Sequence, residues 1–325
     1  MMKSFLLTCT ALTLVACAPA DTDTPSTTDE MPAMGTPAPY AYTPAQTQVY
    51  QAFGWTHDVS KISAVPLKDG FAVIFGKGGN ILVSVGDDGV LLVDDQLPEV
   101  HETILAEVKK LGGERVDRVI NTHWHFDHAE GNRAFGPLGA EIIAQKNSAD
   151  YMARANDVNL VSVTYPQQAY PAEALPSKTF GETMTMTMNG EEISLYNFGP
   201  AHTTGDAVVH FKTSNMIHMG DVANLSGLVF IDADNGGTIA GMIKTVRETL
   251  ALIDDQTIVV PGHGEIANKA ALESYASNLE TVMGRIAAQM EKGLSLPDIQ
   301  ALNLAEDLYG PAGAMLVDRA YNSMK

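Results

Sequence analysis

The stretch NTHWHFDHAEGN, residues 121–132, restricts the possible folds more than any other part of the chain. It places His123, His125, Asp127 and His128 within six positions, in a sequence that has nine histidines altogether. It follows directly on RVDRVI, whose apolar positions predict a buried strand. A loop at the end of a buried strand is where a rigid scaffold presents reactive groups. Imidazoles and a carboxylate crowded at such a place read as one half of a metal site. A solvated polar loop is the bland alternative. If the metal reading holds, the fold must bring further donors to this strand end.

The surrounding pattern supplies a scaffold. From about residue 60, FAVIFG, NILVSVG and GVLLVDD are short apolar strands separated by Gly-Gly-Asn and Asp-Asp-Gly turns, which predicts an antiparallel meander. EVHETILAEVKKLGG has helical periodicity with a Gly-Gly stop. After the cluster come AEIIAQ as a strand and KNSADYMARAN as a helix. ETMTMTMNGEEISLYNF reads as a hairpin around Asn-Gly, followed by the strands AVVHFKT and NMIHMGD. TIAGMIKTVRETLALI is an amphipathic helix, TIVVPGHG a strand ending in a loop, and residues 267–292 a long helix. Strands and helices followed by strands and helices again predict an α/β protein of two facing sheets with helices outside, a four-layer αβ/βα sandwich. The Thr/Met alternation at Met184, Met186 and Met188 reads as a half-buried strand rather than a copper site.

Three more segments offer donors at the ends of elements. GPAHTTGD puts His202 in a turn between two strands, HMGDVAN puts Asp221 just past an apolar strand, and VVPGHGE puts His263 at the end of another. Singly each is weak, since a lone histidine in a turn is more often a surface or capping residue. The two cysteines, Cys9 and Cys17, lie in the N-terminal leader region, so a metal in the domain must be held by His, Asp or Glu.

That N-terminus reads as a secretory leader. MMKSFLLTCTALTLVAC has one lysine, then an apolar run, then small residues. LVAC is similar to a bacterial lipoprotein box, which implies cleavage after residue 16, lipidation of Cys17 and a periplasmic, membrane-anchored protein. Residues 17–57, rich in Pro, Thr, Ala and Asp, are expected to be a flexible tether, with an aromatic end able to dock on a domain spanning 58–325. A formal net charge of -19 repels phosphate backbones and anionic surfaces. The expected partner is a small-molecule substrate, with no nucleic acid and with membrane contact only through the lipid at Cys17.

Together HWHFDH, GPAHTTGD, MGDVAN and PGHG, in this order, resemble the metallo-β-lactamase-fold hydrolase superfamily, whose signature is H-x-H-x-D-H, then His, Asp and His. VLLVDD adds Asp94, which matches a structural acid of that family. The resemblance covers residues from about 65 to 285. It implies that His123, His125 and His202 hold one metal, that Asp127, His128 and His263 hold a second, and that Asp221 bridges them. Two Zn2+ ions are expected, although the donors also suit iron or manganese. Three neutral imidazoles leave a metal's charge largely uncancelled and lower the pKa of bound water towards about 7. The implied reaction is attack of a metal-bound hydroxide on a carbonyl substrate, a β-lactam, lactone or thioester. The resemblance also implies a further, catalytic role for Asp127, accepting a hydrogen bond from that hydroxide and orienting it.

Several departures narrow the branch. Without a cysteine donor the lactamase groups that use one are excluded. A bridging aspartate is closer to the glyoxalase, lactonase and phosphodiesterase branches. Asn224 stands where quorum-sensing lactonases of the best-known type carry a tyrosine, and basic glutathione-binding residues are not evident. Leu228 and Phe230, in the glycine-rich stretch 224–241, are expected to border the site as an apolar wall. The alternatives are a single-iron oxygenase of the persulfide dioxygenase type, a phosphodiesterase, and a non-enzymatic envelope lipoprotein.

Overall fold

The computed structural model describes residues 40–53, 61–68 and 70–325. The leader, Cys17 and most of the expected tether lie outside the described residues. Among the described residues a first sheet begins with β1 (Ser63–Pro66), β2 (Phe71–Phe75), β3 (Ile81–Gly86), β4 (Gly89–Val93), β5 (Arg118–Asn121) and β6 (Glu141–Gln145), paired in that order. The hairpin β7 (Asn156–Asn159) and β8 (Thr164–Gln167) stands apart, and β9 (Lys178–Phe180) adds to the far edge beside β6. The second sheet runs β10 (Thr183–Met188), β11 (Glu191–Tyr196), β12 (Val208–Phe211), β13 (Met216–His218) and β14 (Ile258–Val260) in sequence order. The meander β1 to β4 is antiparallel, whereas β4–β5–β6 and β13–β14 pair parallel.

Side-chain alternation explains the layering. Successive residues of a strand point to opposite faces, so a strand covered on both sides needs apolar residues at every position. In β3, Ile81 and Val83 join the core under the helix His101–Lys110, while Leu82 joins the core between the sheets. In β4 the same split separates Val90 and Leu92 from Leu91 and Val93. In the second sheet Val209, Phe211, Met216 and Val260 face the inter-sheet core, and Val208, Ile217 and Val259 face the helices Ile239–Leu250, Lys269–Met290 and Gly313–Ser323. The result is the four-layer α/β sandwich. Met184 and Met186 sit half-buried against the inter-sheet core between exposed threonines, an alternating strand face.

The expected tether needs one correction. Residues 44–52 form a helix, Pro44–Ala52, which packs on the domain and belongs to it. Its start is a capping box in which Thr43 Oγ1 accepts from Gln46 N and Gln46 Oε1 accepts from Thr43 N, with Pro44 in the first turn. Val49 and Tyr50 are buried, and Gln46 Nε2 donates to Tyr165 Oη at 3.1 Å. Burial of such side chains contributes about 1.5–3 kcal/mol each, enough to hold a short amphipathic helix on the surface. None of the helices among the described residues is long and apolar enough to cross a membrane.

One residue joins the two sheets near the histidine cluster. Asn80, at the start of β3, donates from its backbone N to Gly262 O and from Nδ2 to Pro261 O and Gly264 O, all within 2.7–2.9 Å. Its carbonyl accepts from His218 Nε2 at 2.9 Å.

Candidate metal centre

All seven predicted donors meet along one edge of the sandwich. His123 lies in the bend after β5 and His125, in extended conformation, is the N-cap of the helix Phe126–Ala129, whose first turn carries Asp127 and His128. The change from extended to helical backbone turns the second pair away from the first, and this splits the motif between two donor groups. His202 lies in the turn before β12, Asp221 in the 3-10 turn Gly220–Val222 after β13, and His263 beyond β14. Three sets could each hold an ion, with ligand atoms within 4.8 Å of one another: His123, His125 and His202; Asp127, His128 and His263; and His123, His128 and Asp221. Asp221 Oδ1 stands 3.3 Å from His128 Nε2 and 3.5 Å from His263 Nε2.

The outer nitrogens of the rings are held in place. His128 Nδ1 donates to Asp94 Oδ2 at 2.7 Å, His125 Nε2 to Asp232 Oδ2 at 2.9 Å, and His202 Nδ1 to the Phe230 carbonyl at 2.9 Å. Thr122 Oγ1 donates to Asp94 Oδ2, so it accepts from His123 Nδ1 at 3.0 Å. These contacts fix the tautomers and turn the other nitrogens inward. His125 Nδ1 and His202 Nε2 then face each other at 2.9 Å as two lone pairs, an arrangement that a cation between them relieves. His123 Nε2 is buried without a hydrogen-bond partner among the described residues, as is Asp221 Oδ1. Inward lone pairs and stranded buried donors fit a metal better than a closed hydrogen-bond network.

Asp94 is held at a positive φ of 64° while its carboxylate takes Thr122 N, Thr122 Oγ1 and His128 Nδ1. Aspartate tolerates this left-handed conformation better than most residues, and three acceptor contacts hold it there. Two glycines allow loops to reach the donors. A Cβ on Gly79 would lie 2.1 Å from the His128 ring, and one on Gly262 would lie 2.0 Å from Asp221 Oδ1.

Charge divides the site. In the metal-free protein burial and the neighbouring rings of His128, His202 and His125 hold His123 well below its ordinary pKa, and burial with His125 lowers His202. Burial opposes charge at His128 too, but Asp127, Asp221 and Asp94 overcome it and raise that ring well above its ordinary value. Against burial, Asp221 and Asp127 likewise raise His263. Asp221 is held well below the carboxylate range by His263 and His128 despite its burial, and Asp127 is lowered by His128 and His263.

A cleft of about 190 Å³ opens onto this centre, with His125, Asp127, Asp221 and His263 at its base. Leu228 and Phe230 line it, as expected, and so does Asn224. Trp124 is buried and stacks on Tyr151, while Phe126, stacked on Tyr165, also touches the cleft. Sequence reasoning missed Asp232, Lys77, Phe53 and Met315. Asp232 sits 107 residues from His125 and no local spacing marks it. The capping box at Thr43 was the available signal for the segment that carries Phe53.

Comparison with known proteins places this geometry. A family model described as the metallo-beta-lactamase superfamily matches residues 74–263. A hydroxyacylglutathione hydrolase from Polaromonas sp. is 29% identical over 196 residues, 58% of this chain and 63% of that protein. A metallo-beta-lactamase type 2 from Bacteroides fragilis is 23% identical over 159 residues, 49% of this chain and 57% of that protein. The chain thus spans less than two thirds of the length of either relative. A solved metallo-beta-lactamase from Pontibacter korlensis superposes with a TM-score of 0.55 at 18% identity, covering 67% of this chain and 99% of that one, a likeness of fold. With the family model spanning more than half of its residues, including every donor segment, the chain belongs to the metallo-beta-lactamase superfamily.

Proposed function

We propose that this protein is a dinuclear metal-dependent hydrolase acting on a carbonyl substrate, a β-lactam, lactone or thioester. The observation that carries the reading is the meeting of two donor sets at Asp221, at the base of a cleft, with the outer ring nitrogens already pinned. His123, His125 and His202 would hold one ion, Asp127, His128 and His263 the other, and Asp221 both. Bound there, divalent ions supply Lewis acidity and an acidified water at neutral pH.

The chain's own residues do the rest. Asp94, Asp232 and the Phe230 carbonyl fix the orientation of the rings. Asp127 borders the cleft and is held ionised, so its carboxylate can accept a hydrogen bond from the attacking water and orient it. Phe126, Phe230 and Leu228 present apolar surface that limits competing water around the reacting carbonyl. Hydrolysis is also what the names of the Polaromonas and Bacteroides relatives lead one to expect, a hydroxyacylglutathione hydrolase and a metallo-beta-lactamase.

The test is metal analysis of purified protein combined with a hydrolysis panel of β-lactams, lactones, thioesters and phosphodiesters. Two ions per chain and turnover of a carbonyl substrate are expected. Full activity with one ion per chain sinks the dinuclear mechanism and favours the single-iron alternative. We also propose export and lipid anchoring at Cys17, motivated by LVAC. Cys17→Ser should abolish membrane association, and an unchanged membrane fraction refutes lipidation.

A further inference from the structure

The cleft has two chemically different sides. The turn between β2 and β3 carries Lys77, and it is pressed against the second donor group: Gly79 N donates to the Asp127 carbonyl at 2.9 Å, and a Cβ on Gly78 would lie 2.2 Å from that same oxygen. Three residues beyond Lys77, Asn80 ties this turn to the loop that bears His263. Lys77 is therefore set on the Asp127/His263 side by a rigid support. Among the described residues that line the cleft it is the one Lys or Arg, and no carboxylate among the described residues is ion-paired with it.

The other side is apolar. Phe230 lies over the first donor group, with ring centroids 6.0 Å from His125 and 5.7 Å from His202. Leu160, Phe53 and Met315 pack with it in one apolar cluster, and all four reach the cleft. Phe53 follows the helix Pro44–Ala52 and Met315 belongs to the helix Gly313–Ser323, so both come from outside the residues 74–263 that match the family model. This wall is supplied in part by the chain's own extensions.

A partly buried lysine with no ion-pair partner among the described residues is unusual in a chain with 39 acidic and 20 basic residues. It is accounted for if its partner arrives with the substrate. We propose that the cleft takes an amphiphilic anion, with an apolar body against Phe230, Leu160, Phe53 and Met315 and an anionic group at Lys77, the reacting bond lying between them over the metal centre. Lys77 is then the residue that reads charge, and the two extensions are the segments that read apolar bulk. The inference rests on the hydrolase reading for the reacting bond alone; the two sides of the cleft stand without it.

Binding tests it directly. The probes are (octylthio)acetate, its neutral amide and the short (methylthio)acetate, each titrated calorimetrically into the metal-loaded full-length protein. The acid should bind about tenfold more tightly than the amide, the difference one charge-assisted contact makes. Lys77→Ala should equalise the two and Lys77→Arg should keep the preference. The methyl probe should bind at least about tenfold more weakly than the octyl acid, from lost apolar burial. Equal affinity of acid and amide for the unaltered protein overturns the proposal. A preference that survives Lys77→Ala also overturns it, because the anion is then read by the metal ions. So does an affinity indifferent to chain length. If the charge and length preferences hold while no carbonyl substrate is turned over, the hydrolase reading fails and this inference stands. Turnover without either preference has the opposite meaning.

Discussion

The two donor groups of this centre lie on either side of Asp221, which falls within reach of His123 from one and His128 from the other, and they differ in kind. One consists of three imidazoles, of which His123 and His202 are held uncharged, with outer nitrogens fixed by Thr122, Asp232 and the Phe230 carbonyl. The other mixes an ionised Asp127 with His128 and His263, both pushed towards the protonated form in the metal-free protein. An ion among neutral rings would keep its charge and its power to polarise. An ion in the second group would be partly neutralised, and it would enter only as protons leave. The difference predicts unequal duties, with the first group carrying the larger part of the chemistry and the second modulating it.

The largest expected effect is on the first group. His202→Ala should lower kcat/KM by roughly a thousandfold and remove one ion per chain by elemental analysis, since a ligand matters more than the partners that orient it. An intact metal count with this variant breaks the assignment. Next, Asp232→Ala should weaken binding of that ion by about 10–100-fold in a chelator competition while leaving the fold intact by circular dichroism. No change there means that His125 keeps its orientation without the carboxylate. On the second group, Asp127→Ala or His263→Ala should empty or weaken that position and cut hydrolysis by about tenfold or more. A loss as large as that for His202→Ala shows that the groups work as one unit and removes the contrast.

The smallest effect is also the sharpest reading of the contrast. His128 and His263 have raised pKa values, so each stays protonated as pH rises past its ordinary value; His123 and His202 have lowered ones and are already neutral at that pH. Ring NMR of metal-free protein at pH about 6.5, the ordinary histidine value, should show two charged and two neutral rings in this arrangement. Metal affinity of the second group should then fall more steeply than that of the first as pH decreases. Equal slopes contradict it.

The donor set was legible in the sequence because it is dense and framed. Four donors stand together after one strand, and His202, Asp221 and His263 stand in Gly-bearing turns next to apolar strands. The sandwich was legible from the order of elements, strands and helices followed by strands and helices again, with short apolar runs such as Ile81–Val83 and Val90–Val93 marking the strands. What escaped was carried by long-range packing. Asp232 meets His125 only because the connection between β13 and β14 folds back on a segment 107 residues away. Phe53 and Met315, near opposite ends of the chain, acquire a common role only in three dimensions. The helix Pro44–Ala52 was obscured by composition, because Pro, Thr and Ala dominate its surroundings although Thr43 and Gln46 spell a capping box.

Asn80 sits on the seam between the sheets, and its bonds to the loop of His263 have a mechanical meaning. Four donors ride on the first half of the chain and three on the second, so relative sliding of the halves changes donor spacing as it shears the core between the sheets. The amide at residue 80 acts as a rivet against that shear. Stiffness across the seam and the spacing of the donors are therefore one property, and a loosened rivet opens the centre with every ligand still in the sequence.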